Sequence, residues 1–186
     1  MKKNICIIIG LLLLFPTIVN AESKEVTLAK CVDGDTARFN IDGKVKSTRF
    51  LAIDTPESVH PKKKPEKYGK EASNYTCNQL KKARKIVLEY DDNSTKTDKY
   101  DRALAWVFVD GKLLQQLLVR EGYAKVTYLY GDYKYTDLLK KEEQKAKSNK
   151  LKIWSNKTTK SYESTELTEI LKKIAKKILK KLENML

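Results

Sequence analysis

Between residues 26 and 53 apolar and polar side chains alternate in short runs. Val26 to Val32 is rich in β-forming residues, and Ala37, Phe39 and Ile41 alternate with Thr36, Arg38 and Asn40. A period of two suits a strand with one buried face. Asp42-Gly43 then predicts a two-residue hairpin turn with positive φ, and a third strand runs from Lys44 through Phe50 to Ile53. After a proline-punctuated loop from Thr55 to Pro65 the period lengthens. Ala72, Thr76, Leu80 and Ala83 fall on one face of a helix that follows Gly69. Ile86–Tyr90 and Ala103–Val109 are predicted as the fourth and fifth strands, with a charged loop, Asp91 to Asp101, between them. Asp110-Gly111 turns the chain into a helix over Lys112–Glu121, and Gly122 stands where a left-handed C-terminal cap belongs. An extended segment from Ala124 to Tyr130 and a Lys/Glu-rich helix from Tyr135 to Asn149 complete the pattern, closed by Ile153-Trp154.

Five strands with a helix between the third and fourth is the order of an OB-fold. The expectation is therefore an α+β domain, mainly β, with a five-stranded barrel and about three packed helices over residues 22–155. Residues 156–164, rich in Ser, Thr, Asn and Lys, read as a linker. Beyond it, Leu167, Ile170, Leu171, Ile174, Ile178, Leu179, Leu182 and Met185 recur at helical spacing over residues 165–186, with Lys172, Lys173, Lys176 and Lys180 opposite them. Such a helix could dock on its own domain, whereas a coiled-coil seam would bring Lys181 into its core. A broad apolar face backed by lysines suits an anionic membrane surface, which would retain the chain at a cell envelope.

The first residues bear on compartment. Lys2 and Lys3 precede an apolar run from Ile5 to Phe15, then Pro16 and Val19-Asn20-Ala21. The run falls short of the roughly 20 residues that cross a bilayer. Residues 1–21 read as a cleaved secretory signal, and the product as a secreted protein. Its loss removes two of 38 basic residues, leaving 36 against 24 acidic ones and a net charge of +12. That charge favours polyanionic partners, among them nucleic acid and anionic lipid. Cys6 also leaves, so Cys31 and Cys77 remain as one disulfide or as two buried thiols. A single histidine, His60, excludes metal sites built on several imidazoles.

Candidate chemistry gathers at strand ends. Asp33-Gly34-Asp35-Thr36 lies at a strand junction, and Asp54-Thr55-Pro56-Glu57 ends the third strand. In a meander Asp35 and Asp54 can come together as an oxygen site for calcium or magnesium. Arg49 lies amid Phe50, Leu51 and Ile53 and needs an acidic or phosphate partner. Arg102 opens the fifth strand behind Thr97-Asp98-Lys99-Tyr100.

Taken in order, Asp-Gly-Asp-Thr, Arg-x4-Asp-Thr-Pro-Glu, Tyr-Gly-x-Glu-Ala-Ser and Thr-Asp-Lys-Tyr-x-Arg resemble the staphylococcal nuclease (thermonuclease) family, from about Lys30 to Trp154. The resemblance implies a calcium site on Asp35, Asp54 and the carbonyl of Thr55. It implies that Glu57 activates water and that Arg49 and Arg102 bind phosphate in the transition state. Lys63, Lys99 and Tyr100 would hold a terminal phosphate, and Tyr128 and Tyr130 would line the nucleotide pocket. The implied reaction is hydrolysis of DNA and RNA by a monomeric enzyme, with departure of the 5′ oxygen and 3′-phosphate products. Asp101 stands where some relatives carry glycine, and an acid there is placed to draw Arg102 aside. The competing class is a non-catalytic OB-fold that binds nucleic acid or protein, which would not need all five of Asp35, Asp54, Glu57, Arg49 and Arg102.

Overall fold

The computed structural model describes residues 22–58, 64–155 and Leu171. The expected signal segment 1–21, His60, Lys63, the expected linker 156–164 and all of the 165–186 tail except Leu171 lie outside the described residues. Three long strands open the domain: β1 (Ser23–Cys31), β2 (Thr36–Ile41) and β3 (Lys44–Phe50). They form an antiparallel meander. The β2–β3 turn is Asp42-Gly43 with φ of 50° and 76°, the positive pair the dipeptide favours. A two-residue strand β4 (Ile53–Asp54) leads into helix α1 (Gly69–Lys82). Strands β5 (Ile86–Glu89) and β6 (Ala103–Val109) follow.

Closure comes from two pairings that local pattern does not reveal. β5 pairs antiparallel with β1, and β6 pairs parallel with β3 through Thr48↔Ala103, Arg49↔Leu104 and Phe50↔Ala105. Strands β1, β2, β3, β6 and β5 thus make a closed barrel, which leaves the long strands without free edges. Inward alternation fills it with Phe39, Phe50, Leu88 and Val107, all almost wholly buried. Helices α1, α2 (Leu114–Arg120) and α3 (Thr136–Ser148) complete the α+β domain.

Three local expectations differ from the structure. The third strand does not run unbroken to Ile53. It stops at Phe50, Ala52 turns left-handed at φ 60°, and the chain resumes as β4, which pairs with β8 (Lys125–Val126). The Leu51 amide donates to the Ala105 carbonyl at 3.1 Å and the Thr127 amide to that of Ala52 at 3.1 Å, so tertiary hydrogen bonds impose the bend. The helix expected from Lys112 begins at Leu114, because Lys112-Leu113 first forms β7, the return arm of a hairpin with Phe108-Val109. The extended segment 124–130 is strand only at Lys125–Val126, and Tyr128 has φ 56°. Gly122, at φ 75°, caps α2 as expected: its amide donates to the Val119 carbonyl and that of Tyr123 to Leu118, the paired bonds of a Schellman ending.

Candidate active site

The bend at Ala52 turns Asp54 and Thr55 toward the loop between β1 and β2. There the Asp35 amide donates to Asp33 Oδ1 at 3.1 Å, and the Asp33 amide to the Thr36 carbonyl at 3.1 Å. Asp33 is thus the acceptor of a side-chain-closed turn. Asp35 Oδ2 accepts the amide of Thr55 at 2.8 Å and its hydroxyl at 3.1 Å, while Oδ1 accepts the Thr36 hydroxyl at 3.2 Å. A Cβ on Gly34 would lie 2.5 Å from Thr55 Oγ1, so glycine alone permits this approach. One carboxylate therefore joins two loops separated by 20 residues. Glu57 follows on the second loop, its main chain held from both sides. Its amide donates to Glu66 Oε2 at 3.2 Å, and its carbonyl accepts the Glu66 amide at 2.8 Å.

Arg49 projects from β3 between Asp35 and Asp54. Nη2 donates to Asp54 Oδ1 at 3.1 Å, and Nη1 is ion-paired with Asp35 Oδ1 without hydrogen-bond geometry. Burial pushes the guanidinium's pKa below its ordinary value, against the fields of Asp54 and Asp33, and the positive field of Arg102 works in the same direction as burial. Burial likewise raises the pKa of Asp33, opposed by Arg49 and reinforced by Glu57. Arg102 immediately precedes β6, which the parallel pairing lays beside β3. Its Nε donates to Asp98 Oδ2 at 2.7 Å and its Nη2 pairs with the same oxygen at 2.6 Å. Asp98 Oδ1 accepts the amides of Tyr100 and Arg102 at 2.9 and 3.0 Å. Asp98, not Asp101, is thus the acid that engages Arg102. Asp101 has φ 59°, a conformation that glycine adopts freely and Asp tolerates.

These groups line one cleft of about 710 Å³. Asp33, Asp35, Arg49, Asp54, Thr55 and Glu57 lie along it with Lys99, Tyr100, Arg102, Tyr128 and Tyr130. Every expected site residue within the described part of the chain is therefore in one place, apart from Cys31 and Cys77, which form a disulfide with Cα atoms 5.6 Å apart. The Arg49 guanidinium lies 5.6 Å from the Tyr128 ring, and the Tyr128 and Tyr130 rings are 6.4 Å apart. Lys99 and Arg102 lie 5.0 and 5.5 Å from the Tyr100 ring. Sequence reasoning assigned no role to Asp33, Glu66 or Asp98. The Asp-x-Asp spacing and the acid four residues before Arg102 were the available signals.

Among the described residues no three His, Cys, Asp or Glu side chains already converge as a metal cage. The donor chemistry still fits a hard cation. Two carboxylates, Asp35 and Asp54, share one positive group, the Arg49 guanidinium, which is a stand-in for the cation their mutual repulsion calls for. The carbonyl-bearing Thr55 adjoins them, and among the described residues that line the cleft there is no His or Cys. An all-oxygen set of this kind suits calcium.

Comparison with known proteins adds an independent line. A family model described as staphylococcal nuclease homologue matches residues 47–156. The chain is 46% identical over 135 residues to the SPbeta prophage-derived endonuclease YokF of Bacillus subtilis (strain 168), a match covering 72% of this chain and 45% of that protein. It is 44% identical over 132 residues to endonuclease YncB of the same organism, covering 70% and 62%. It is 35% identical over 137 residues to the thermonuclease of Staphylococcus hyicus, covering 74% and 79%. The chain thus spans less than two thirds of either Bacillus relative.

Proposed function

The chain belongs to the staphylococcal nuclease family, and on that premise we propose that it is a calcium-dependent nuclease hydrolysing phosphodiester bonds of DNA and RNA to products ending in 3′-phosphate. One observation carries the proposal: two carboxylates, a third acid and two arginines converge on one cleft rimmed by three tyrosines. A binding module would need the basic and aromatic groups but not the acids.

Asp35, Asp54 and the Thr55 carbonyl would hold calcium, which when bound supplies Lewis-acid charge to a phosphoryl oxygen. Glu57 accepts a proton from, or orients, the water that attacks phosphorus. Arg102, its fork aligned by Asp98, faces the charge growing on the phosphoryl oxygens. Arg49 does the same from the cleft floor once its carboxylates no longer depend on it alone. Electrons leave with the 5′ oxygen, and the phosphate stays on the 3′ side. Tyr128 and Tyr130 offer faces on which any base can stack, in keeping with action on both DNA and RNA.

The deciding experiment is digestion of single- and double-stranded DNA and of RNA across a calcium titration, with product ends identified by their sensitivity to a 3′-phosphatase. Full activity in excess chelator removes the calcium assignment, and 5′-phosphate ends remove the stated bond cleavage. Export is the second element of the proposal, supported by the disulfide, a feature of oxidising compartments. The third is retention at an anionic envelope through residues 165–186. Co-sedimentation with anionic vesicles, comparing the full chain with one ending at Lys157, tests it. Equal recovery of both in the supernatant at low salt rules it out.

A further inference from the structure

Helix α1 touches both acid-bearing loops of the cleft. At its N-terminus a Cβ on Gly69 would lie 2.4 Å from the Glu57 carbonyl oxygen, so helix and loop are in direct backbone contact. About 12 Å along the axis, by the helical rise, the same helix reaches the Asp33–Thr36 loop through two adjacent residues. The Thr76 hydroxyl donates to the Gly34 carbonyl at 2.6 Å, both groups buried. Cys77 is bonded to Cys31, the last residue of β1 and two positions before Asp33. On its other side the loop is packed against Thr55 with no room for a Cβ at Gly34, and Asp35 is hydrogen-bonded there. The loop is therefore gripped between α1 and the Thr55 turn. Two of its tethers, the disulfide and Thr76, lie outside the groups that would meet metal or substrate.

We propose that the Cys31–Cys77 disulfide and Thr76 are positioning elements for Asp35, and that they make the cation affinity of the cleft depend on redox state. The proposal rests on the calcium reading given above. Reduction by a dithiol transfers two electrons and two protons to the bridge, giving two protein thiols and an oxidised disulfide of the reductant. The fold does not hang on that bond alone, because β1 stays paired with both β2 and β5. What reduction frees is the upstream end of a four-residue loop. A loop that must be ordered again on binding weakens affinity, and the backbone entropy of about one residue corresponds to roughly tenfold. The consequence is directional. In a thiol-rich compartment the chain binds calcium weakly, and after export, with the bridge closed, it binds tightly.

The test measures calcium affinity by calorimetry, at a temperature where circular dichroism shows every form folded. The forms are the oxidised mature chain, the same chain after dithiol reduction, the Cys31→Ala/Cys77→Ala double variant, Thr76→Val and Thr76→Ser. Amide exchange at Gly34, Asp35 and Thr36 is followed in parallel. The expected result is a calcium Kd raised about tenfold by reduction and by the double variant, and several-fold by Thr76→Val. Thr76→Ser, which restores the hydroxyl, should bind like the parent. Loop exchange should quicken in step with the loss of affinity. A bridge that only stabilised the fold would leave the Kd of folded protein unchanged, so equal Kd values for oxidised and reduced chain overturn the proposal. Should the double variant fail to fold, the reduced chain and Thr76→Val still decide it. A chain that binds no calcium in the oxidised state overturns the calcium reading itself, a result distinct from equal binding in the two states.

Discussion

The floor and the rim of the cleft are built in opposite ways. On the floor, Asp35 is 6% exposed and Thr55 8%, and their polar atoms satisfy one another across the two loops. On the rim, Tyr100, Tyr128 and Tyr130 are 68%, 49% and 84% exposed, and among the described residues their rings meet neighbouring cations or each other. Preorganised charge acts most strongly where water is excluded, whereas an exposed ring can contribute only the face it offers to a base. The floor should therefore set the rate of the chemical step, and the rim the affinity for substrate. A split between kcat and KM measures that difference.

The largest effect is expected at Glu57. Glu57→Gln keeps the size of the side chain and removes its capacity to take a proton, so kcat should fall about 10³-fold while nucleotide affinity stays within a factor of two. Steady-state kinetics together with equilibrium binding of a nucleoside bisphosphate separate the two. A loss carried by KM instead would erase the distinction between floor and rim. Arg49 sharpens the same point with a stability readout. Arg49→Ala should lower kcat by about 100-fold. Because it strips Asp35 of its buried ion pair, it should also destabilise the calcium-free protein by roughly 3 kcal/mol. Calcium should restore most of that stability, since the cation replaces the lost charge. Denaturant melts with and without calcium test this, and an equal deficit in both would show that Arg49 is not competing for the cation's place.

The rim comes next. Tyr128→Ala should raise KM about tenfold and Tyr130→Ala less, with kcat little changed in either. Tyr128 is the more sheltered ring and lies over Arg49, while Tyr130 stands largely in solvent. Equal effects from the two variants would mean that exposure does not rank the rim residues.

The two regions also differ in how far the sequence discloses them. Strand alternation, the Asp42-Gly43 and Asp110-Gly111 turns and the face Ala72, Thr76, Leu80 are local signals, and the barrel strands and α1 follow from them. The candidate site residues were recognisable as a set because the acids and arginines sit near strand ends within distinctive runs. Hidden were the features created by distant partners. Nothing local marks Ala52 as left-handed, since hydrogen bonds to Ala105 and Thr127 impose the bend there. The parallel closure of β3 on β6, which brings Arg49 and Arg102 to one mouth, leaves no trace in periodicity. Proximity in sequence also misled at Arg102: the adjacent Asp101 is an exposed residue in the left-handed region, and Asp98 holds the guanidinium across a tight loop.

That clamp yields the smallest effect and joins floor to rim. Burial pushes the pKa of Asp98 upward, but hydrogen bonds from the Arg102 amide, its guanidinium and the Tyr100 amide outweigh it and hold the carboxyl below its ordinary value. A carboxyl depressed in the folded state stabilises it at every pH above its unfolded pKa, about 3.9, and loses that contribution as pH falls through the folded value. Asp98→Asn keeps an oxygen for the two amides and loses the charge. At pH 7 it should therefore be less stable by under about 1 kcal/mol, since the pair borders solvent. The deficit should shrink as pH falls from 4 towards 2. With its fork less firmly aimed, Arg102 should lose about threefold in kcat at neutral pH with KM unchanged, a signature of the floor produced from a rim loop. Thermal melts of both proteins between pH 2 and 7, alongside kinetics at pH 7, supply the measurement. A stability gap that is constant over that range would show that Asp98 acts through its backbone hydrogen bonds alone.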